Sequence, residues 1–583
     1  MKDGDVGEII VGIDLGTTNS EVAVVREGRV EMIPVSAEGP ILPSVVGIGP
    51  AGELLVGAEA KNQAILYPER TVRSIKRRMG ESGKVSLGGT DYSPQEISAM
   101  ILARLKQVAE SHLGQPVGKA VITVPAFFSD AQRQATREAG EIAWLEVVRI
   151  LNEPTAAALA YEKRVEYARK VIVYDLGGGT FDVSVANIEN GVVEILSSHG
   201  NNHLGGDDFD RRIQQRLESR VREGWGVDLS ENRVALARLQ RASEEVKRLL
   251  SDRPFGTVSE EFLFEKDGLP VHLTLEISRE EYEEMISDYI EETISCVRVA
   301  LSNAGVAASE IDEILLVGGS TRTPLVSRRL EEEFGRQPRF EVHPDLCVAM
   351  GAAIQAARIA GVESGQVLVD VTPYTFGTSA LAELEDGEIS PFAFVPLIRK
   401  NTPIPVTKSE VFFTVVDNQD AAEVFIYQGE NSDVRQNIEI GNFLLDGLAN
   451  RPRGNEIVLL FSLDADGILQ ISAREKATGL ERTLTIDRQV ERFGQEELDR
   501  SRERVAALLG DETEFAASPD DRETVAADLR ARAEALLPDL SGEDREDLSA
   551  RIADLLAALE GGTEEEFDEA SEALEDLLFY LES

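Results

Sequence analysis

Hydrophobic and polar positions repeat in the same order in two distant segments of the chain. Residues 10–25 read IVGIDLGTTNSEVAVV, and residues 171–186 read VIVYDLGGGTFDVSVA. In each segment a run of β-branched residues ends in Asp-Leu-Gly, small residues follow, and a second alternating run leads away, which predicts a β-hairpin. Two such hairpins predict two similar half-domains that face one another across a cleft.

Up to about residue 365, the pattern alternates between the periods of strands and of helices. Residues 97–113 carry apolar side chains at helical spacing, and residues 120–125 read as a strand. Residues 129–140 open with a Ser-Asp cap and continue as a helix, and residues 313–319 read as a buried strand that precedes another capped helix. This alternation is typical of α/β architecture.

After residue 370 the pattern becomes that of an all-β domain. Residues 411–430 and 456–475 both read as hairpins, with turns at Asp417-Asn418 and Asp466-Gly467, and they predict a compact β-sandwich. From about residue 490 the chain is acidic and helical, and two apolar stripes predict a small helical bundle. The stripes consist of Leu548, Ile552, Leu555 and Leu559, and of Phe567, Leu574, Leu577, Leu578 and Leu581.

The segment that joins the first two regions, VESGQVLVDVTP (362–373), contains three consecutive apolar residues, Val367, Leu368 and Val369. A solvated linker has no need of them. They predict either a segment that docks by adding a strand to a sheet edge, or the first strand of the sandwich. The spacing alone favours neither.

Composition and charge narrow the classes of partner. A chain of 583 residues is too long for one core, so several domains are expected. The net charge of −46 argues against nucleic acid as a partner. The amino terminus lacks the apolar core of a signal peptide, and no apolar run approaches the length of a membrane span, which predicts a cytoplasmic protein that does not bind membranes. Cys296 and Cys347 form no disulfide framework.

Small and acidic residues at the two hairpin turns predict a phosphate site. Glycines allow backbone N–H groups to approach an anion closely, and Thr17, Thr18 and Thr180 add hydroxyl groups. Carboxylates are ligands that suit hydrated Mg²⁺. The glycines are Gly16, Gly177, Gly178 and Gly179, and the carboxylates are Asp14, Asp175 and Asp182.

Seven sequence motifs resemble those of the DnaK-type seventy-kilodalton heat-shock chaperone family, and they occur in the same order as in that family. They cover most of the chain and leave only the helical tail weakly matched. The motifs are IDLGTTNS (13–20), AVITVPAFFSDAQRQAT (120–136), NEPTAAALAY (152–161), VYDLGGGTFDVSV (173–185), HLGGDDFD (203–210), VGGSTRTP (317–324) and DNQ…YQGE (417–430).

The resemblance implies a multidomain fold. It begins with an α/β actin-like ATPase domain, whose two half-domains enclose a nucleotide cleft, and continues with a β-sandwich peptide-binding domain and a short α-helical lid. The expected boundaries are 1–361 for the ATPase domain, 362–370 for the linker, 371–489 for the sandwich and 490–583 for the lid. The implied activity is ATP hydrolysis coupled to the binding and release of extended apolar segments of unfolded proteins.

The family's catalytic and metal positions are assigned motif by motif. Lys76 matches the lysine near the γ-phosphate and the attacking water, where its charge stabilises the transferring group. Asp14 and Asp175 match carboxylates that hold Mg²⁺ through water. The implied catalytic set is Lys76, Glu153, Asp175, Thr180 and Asp182.

The implied nucleotide contacts fall in the two hairpin turns and in three further motifs. They are Asp14, Gly16, Thr17, Thr18, Gly177, Gly178, Gly179, Gly205, Gly206, Glu244, Lys247, Arg248, Ser251, Gly318, Gly319, Ser320, Arg322 and Asp345. Positions that couple the domains or contact a J-domain are Pro125, Arg133, Arg149, Asn152 and Asp370. Ala422 and Val424 match the peptide-binding strand.

The resemblance also implies cofactors and partners. ATP and Mg²⁺ are the expected cofactors, with K⁺ as a further candidate ion. Unfolded client polypeptides and a J-domain co-chaperone are the expected partners, and the chain is expected to be a monomer. The stretch between Lys76 and Asn152 is shorter than in the common bacterial form, which leaves a GrpE-like exchange factor in question.

Other departures indicate a compact branch of the family similar to HscC. The first sandwich hairpin is longer, with AELEDGEISPFAF at 382–394, and Ala422 replaces a valine of the central peptide pocket. The tail after residue 490 is shorter than the usual lid and lacks an EEVD-like end. We therefore expect a specialised chaperone with few clients.

Two other classes of function remain open on the sequence. A sugar or acetate kinase of the actin-like superfamily would use the same cleft but has no need of a sandwich and an apolar linker. A non-catalytic nucleotide-binding scaffold would have no need of the complete catalytic set.

Overall fold

The fold is taken from a computed structural model of the chain. It describes residues 9–162, 168–189, 191–339, 343–362, 367–383, 389–485 and 495–509, together with a few residues of the tail. Residues up to Leu508 form one compact unit, and Leu509–Ser583 form a second.

The first half-domain is built from strands and helices in alternation. Its elements in chain order are β1 (Ile10–Leu15), β2 (Asn19–Arg26), β3 (Arg29–Met32), β4 (Leu42–Pro43), β5 (Val45–Ile48), β6 (Leu54–Val56), α1 (Ala58–Gln63), β7 (Thr71–Arg73), β8 (Val85–Leu87), β9 (Thr90–Tyr92), α2 (Pro94–Leu113), β10 (Lys119–Val124), α3 (Asp130–Ile142), β11 (Glu146–Asn152) and α4 (Glu153–Glu162). The predicted cap of α3 is present, because Ser129 forms a capping box with Gln132, and Ser93 forms one with Glu96 at the start of α2. The cap predicted for the helix that follows residues 313–319 is wrong, because Thr323 at its start accepts no side-chain capping bond.

The second half-domain follows the same plan. Its elements are β12 (Arg169–Leu176), β13 (Phe181–Glu189), β14 (Val192–Asn201), α5 (Gly206–Trp225), α6 (Arg233–Asp252), β15 (Phe255–Lys266), β16 (Leu269–Ser278), α7 (Arg279–Met285), α8 (Ser287–Ala304), β17 (Glu313–Val317), α9 (Pro324–Phe334) and α10 (Cys347–Ile359).

The two main sheets repeat one topology. In the first, β1 pairs antiparallel with β2 and parallel with β10; in the second, β12 pairs antiparallel with β13 and parallel with β17. Both predicted hairpins are therefore present, and each brings its Asp-Leu-Gly turn to the same end of its sheet. The prediction of two similar half-domains is confirmed.

Two helices made of small residues pack close to the backbone of the sheets. A Cβ on Gly12 of β1 would lie 2.1 Å from the backbone nitrogen of Ala353 in α10, and a Cβ on Gly351 would lie 1.8 Å from the carbonyl oxygen of Ala156 in α4. Only glycine permits such contacts. Because α4 begins at Glu153, this close packing fixes the position of a carboxylate that belongs to the candidate site.

The apolar linker forms a strand at the edge of the second sheet. Val367–Val371 (β18) runs parallel to β14, with Val192 opposite Val367 and Glu194 opposite Val369, and its last residues pair with the short strand Pro403–Ile404. Of the two interpretations of this segment, sheet-edge docking is confirmed. The first strand of the sandwich starts later, at Phe376.

The all-β region contains two antiparallel four-stranded sheets. Its elements are β19 (Phe376–Glu383), β20 (Ile389–Ile398), β21 (Pro403–Ile404), β22 (Val406–Phe413), β23 (Ala421–Gln428), β24 (Ile438–Asp446), β25 (Glu456–Leu463), β26 (Leu469–Glu475) and β27 (Glu481–Thr485), and α11 (Gln495–Leu509) follows. The sheet orders are β20-β19-β23-β24 and β22-β25-β26-β27, with a core around Ile426, Phe461 and Ile471.

One predicted hairpin of this region is wrong. Residues 411–430 read as two paired strands, but β22 pairs with β25 and β23 pairs with β19 and β24, so the two strands lie in different sheets. The turn at Asp417 instead carries the chain between the sheets. The hairpin at 456–475 is confirmed, since β25 and β26 pair throughout.

The second unit is described only in part. Residues 548–553 are helical, and the side chains of Leu548, Ile552 and Leu555 are buried, as is that of Leu574. This agrees with the predicted apolar stripes. Leu559, Phe567, Leu577, Leu578 and Leu581 lie outside the described residues.

Candidate functional site

The turns of the two repeated hairpins touch one another. A Cβ on Gly178 would lie 1.8 Å from the hydroxyl oxygen of Thr18, and a Cβ on Gly179 would lie 2.5 Å from Cγ2 of Thr17. The hydroxyl of Thr18 is buried and makes no hydrogen bond within the described part of the chain. A buried polar group without a partner is costly, so the site suits a ligand that accepts a hydrogen bond there.

A cluster of carboxylates surrounds one lysine beneath these turns. Lys76 is 3% exposed and forms an ion pair with Glu153 at the start of α4. Asp14 accepts a hydrogen bond of 2.8 Å from Thr123, and Asp182 accepts one of 3.1 Å from the backbone N–H of Phe127. Asp175 and Thr180 are buried beside them.

The carboxylates of this cluster are hard to ionise together. Burial, followed by the negative charge of Glu153, raises the pKa of Asp14 to about 7 and that of Asp182 to about 7. Burial and the same neighbour raise the pKa of Asp175 well above its ordinary value. A cation that enters the cluster would lower all three. No three acidic, histidine or cysteine side chains in the described ranges are close enough to ligate one ion directly.

The amino end of α5 completes the glycine-lined wall. The N–H of Gly206 donates to the carbonyl of Gly177 at 3.0 Å, and Ser320 donates to the same carbonyl at 2.8 Å. A Cβ on Gly205 would lie 2.6 Å from the backbone of Gly178. Backbone N–H groups at a helix start attract phosphate, and glycine is the residue that lets a phosphate reach them.

Charged side chains bridge the mouth of the cleft. Glu244 on α6 forms ion pairs with Lys61 at 2.8 Å and Arg73 at 3.1 Å, both from the first half-domain, and with Arg248 at 2.8 Å. Burial would raise the pKa of Glu244, but the charges of Lys61, Arg248 and Arg73 together lower it to about 2. The bridge closes a cavity of about 750 Å³ lined by residues of both half-domains.

Replacement of Glu244 by glutamine is expected to open this bridge. The three cations of the bridge are partly exposed to solvent, so loss of their ion pairs with Glu244 is expected to cost on the order of 1 kcal/mol in total. This predicts nucleotide release roughly three- to tenfold faster, measured by displacement of a fluorescent ADP. Because the pKa of Glu244 is depressed, the bridge is present above pH 4.5 and lost as the pH falls towards 2, so release should not change between pH 6 and 8 through this group.

Glu245→Gln is the matched control for that prediction, because its partner Arg241 lies on the same helix. Equal release rates for Glu244→Gln and the unaltered chain would contradict a bridging role.

The remaining predicted nucleotide contacts surround the same cleft. Lys247 pairs with Asp210 at 2.8 Å, and Arg322 pairs with Asp345 at 2.7 Å. Gly318 has φ +81°, and a Cβ there would lie 2.4 Å from the carbonyl of Leu176. The backbone oxygen of Ser251 accepts a hydrogen bond from Arg279.

A second group of predicted residues joins the docked linker to the ATPase region. The carboxylate of Asp370, in β18, accepts hydrogen bonds of 2.9 Å from Asn152 and from Thr155. Asn152 in turn accepts a hydrogen bond of 2.7 Å from Arg133. The side chain of Arg133 also donates hydrogen bonds to the carbonyl oxygens of Ala126 and Phe128, in the segment after Pro125. Asp370, Asn152 and Arg133 therefore form one buried chain.

The Hsp70 protein family model matches residues 10–581. The chain belongs to the Hsp70 family. It is 48% identical over 487 residues to the chaperone protein DnaK of Thermotoga neapolitana, and this match covers 82% of the chain and 80% of that relative. The DnaK proteins of Thermotoga petrophila and Thermotoga maritima match equally well. The chain is thus a DnaK-like chaperone that binds ATP, and like its family it is an ATPase.

The interface of this Hsp70 includes a residue that sequence reasoning missed. Asp466 was expected only to form a hairpin turn, and it does so, but its carboxylate also pairs with Arg137 at 2.5 Å and Arg149 at 3.0 Å and accepts from the N–H of Ile150. The only sign of this role in the sequence is that Asp466 is a second aspartate in the turn. Asp464 already stabilises that turn by accepting hydrogen bonds from the N–H groups of Asp466 and Ile468. Its partners are more than 300 positions away.

Two further contacts of the interface had no signal in the sequence. The hydroxyl of Tyr374 donates to the carbonyl of Phe127 at 2.5 Å, and the two rings lie 4.8 Å apart. On α11, Arg504 pairs with Glu96 and stacks over the ring of Tyr92.

The predicted peptide-binding residues lie beside a fork between two strands. In β19 only Phe376–Thr378 pair with β23, and their partners are Ile426–Gln428. Within the described residues, 379–383 of β19 do not pair with 421–425 of β23. Ala422 is half-buried and packs against the sandwich core, and Val424, two positions later on the same face of β23, is 6% exposed and belongs to that core. Leu381 is 58% exposed on the opposite strand.

None of the helices in the described ranges is both long and apolar enough to cross a bilayer.

Proposed function

We propose that this Hsp70 couples ATP hydrolysis to the release of extended peptides through the strand β18. The pairing of β18 with β14 and the hydrogen bonds of Asp370 carry the proposal. They tie the linker to the ATPase region and, through Asn152 and Arg133, to the segment that holds Asp182. The proposed domains are 1–361, 362–370, 371–489 and 490–583.

Lys76, Glu153, Asp175, Thr180 and Asp182 are proposed as the catalytic set. The ammonium of Lys76 stabilises negative charge that develops on the transferring phosphoryl group, and Glu153 fixes its orientation. Asp175, Thr180 and Asp182 orient the attacking water. Hydrolysis of this kind depends on positioning and electrostatics rather than on a covalent intermediate.

Asp14 and Asp175 are proposed to hold Mg²⁺ through water, and K⁺ is a further candidate ion. When bound, Mg²⁺ neutralises charge on the phosphates. The raised pKa values of the carboxylates support a cation here. The residues of the two glycine turns, of α5 and α6 and of the Gly318–Arg322 turn hold the phosphates and the nucleoside.

The arrangement of the first unit corresponds to the state in which peptides exchange rapidly. The linker strand, Asp466 and Tyr374 all contact the ATPase region, and the fork between β19 and β23 is open. In the proposed cycle hydrolysis releases these contacts, the fork closes, and a peptide is held by backbone hydrogen bonds and one side-chain pocket. Peptide must act back on hydrolysis by linkage.

Stopped-flow release of a fluorescent apolar peptide tests this cycle. We expect MgATP to accelerate release by at least tenfold and MgADP to leave it slow. Equal release rates with both nucleotides would contradict the coupling.

The pocket is proposed to accept a larger side chain than leucine, because Ala422 occupies a valine position of the family. A methylene that is matched or mismatched in an apolar pocket contributes about 1–3 kcal/mol. In Ala422→Val we therefore expect a peptide centred on phenylalanine to bind roughly tenfold more weakly relative to a leucine peptide, measured by fluorescence anisotropy. Ala421→Val, at the adjacent position, is the control. An unchanged preference would show that Ala422 does not line the pocket.

Partners are proposed by resemblance. A J-domain co-chaperone would contact Arg149, Asn152 and Asp370, and since Arg149 pairs with Asp466, that partner would compete with the second domain. The exchange factor is left open. We propose a monomeric cytoplasmic protein of the compact HscC-like branch, on the short stretch between Lys76 and Asn152 and the long hairpin at 382–394.

A further inference from the structure

Among ionisable side chains that play no part in hydrolysis, His199 has an unusual position. It lies near the end of β14, opposite Val183, and its ring meets the ring of Phe127 edge-on at 5.1 Å. Phe127 is also contacted from the second domain, because the ring of Tyr374 lies 4.8 Å from the Phe127 ring. Phe127 thus contacts both His199 and the docked domain.

The contacts around Phe127 belong to the docked arrangement. Tyr374 donates to the carbonyl of Phe127, and Asn202 donates to the same carbonyl at 2.7 Å. Tyr374 follows the linker strand by three residues, so release of β18 would remove the tyrosine from Phe127 and expose this side of the His199 ring. The surroundings of His199 therefore differ between the docked and the released states.

The docked surroundings disfavour a charged imidazole. Burial, and then the positive charge of Lys400 from the second domain, lower the pKa of His199. Three other ionisable groups lie on the elements that pack around His199: Tyr374, Asp182 and Glu292. Asp182 accepts a hydrogen bond from the N–H of Phe127, and Glu292, on α8, accepts one from the side chain of Asn201. None of these carboxylates forms an ion pair with His199 in the described part of the chain.

We propose that His199 makes domain docking sensitive to pH, so that mild acid favours the released, peptide-holding state. The proposal rests on the proposed cycle. The sign follows from linkage: an imidazole freed from the interface has a pKa of about 6.5, and the docked pKa lies lower. The docked state keeps its full stability above about pH 6.5 and loses it as the pH falls, by up to about tenfold per pH unit.

The proposal is tested by energy transfer between dyes on the two domains of the full chain. Cysteines at the exposed positions Glu59 and Glu410 would carry the dyes, since Cys296 and Cys347 are buried. Docking would be read within the first seconds after mixing with MgATP, between pH 5.5 and 8. We expect the docked-to-released ratio to fall from pH 7 to pH 6, by up to about threefold.

The variant His199→Asn should remove this fall, and His203→Gln should keep it, because His203 is an exposed histidine four positions away. Lys400→Gln should make the fall smaller, because removal of a like charge brings the docked pKa of His199 closer to its released value. An equal pH dependence in His199→Asn and in the unaltered chain would overturn the role of His199. Absence of any ATP-dependent change at any pH would overturn the cycle itself, so the two failures are distinguishable.

Discussion

Replacement of Lys76 by alanine is expected to reduce the single-turnover rate of ATP hydrolysis by about 10²- to 10³-fold, which is the loss typical for one preorganised group that stabilises transition-state charge. Lys76 is 3% exposed and is the only ammonium or guanidinium that pairs with a carboxylate of the described catalytic cluster. ATP binding should change little, because the glycine turns and the α6 residues remain. Rapid-quench measurement of phosphate from preformed enzyme–ATP complex gives the rate.

Arg78→Ala is the matched control for Lys76→Ala. Arg78 lies on the same short helix, but its side chain pairs with Glu81 at the surface. Removal of Lys76 also leaves Glu153 without its cation, so the thermal midpoint with ADP bound should be recorded for each variant. A near-normal rate in a folded Lys76→Ala variant would exclude Lys76 from catalysis.

Replacement of Asp370 by alanine is expected to abolish stimulation of hydrolysis by peptide while ATP still binds. The carboxylate is buried and is the acceptor for Asn152 and Thr155. Loss of an acceptor that leaves buried donors unsatisfied costs about 1–3 kcal/mol, which corresponds to roughly a 5- to 150-fold shift from the docked to the released state. Hydrolysis rates with and without a bound peptide should become equal.

Two further variants sharpen this prediction. Asp370→Asn keeps one acceptor oxygen and should retain part of the stimulation, whereas Glu410→Gln removes an exposed carboxylate elsewhere on the second domain and should retain all of it. Full stimulation in Asp370→Ala would exclude the linker from the coupling.

The two half-domains could be predicted from the sequence because their signals are local. Each Asp-Leu-Gly turn lies between strands that pair with their chain neighbours, and the cap of α3 lies within three residues of the helix start. Hairpin pairing and helix capping depend on residues that are close in the chain. The local pattern of hydrophobic and polar positions is therefore sufficient to predict both.

The sandwich was predicted less well because its pairing is non-local. β22 and β23 are separated by a short turn, which is typical of a hairpin, but β22 pairs with β25 more than 40 residues later. Apolar alternation indicates that a strand is half-buried and does not tell which strand is its neighbour. For the same reason the apolar residues Val367–Val369 could not be assigned from the sequence. Three consecutive apolar residues are expected both for a strand that docks at a sheet edge and for the first strand of the sandwich.

Interface residues were the least predictable. Asp466 is contacted by Arg137 and Arg149, and His199 by Phe127, all of them far away in the chain. The sequence around a turn aspartate or an isolated histidine does not predict which distant residues will contact it. The resemblance to a family supplied Arg133, Asn152 and Asp370, and the contacts join these three into one chain.

Single-turnover ATP hydrolysis, measured with and without a panel of extended apolar peptides, tests the coupling most directly. We predict that some peptides accelerate hydrolysis by at least several-fold and that in Asp370→Ala the rates with and without peptide become equal while ATP still binds. Hydrolysis that is indifferent to every peptide, in a chain that binds those peptides, would contradict the coupling through β18.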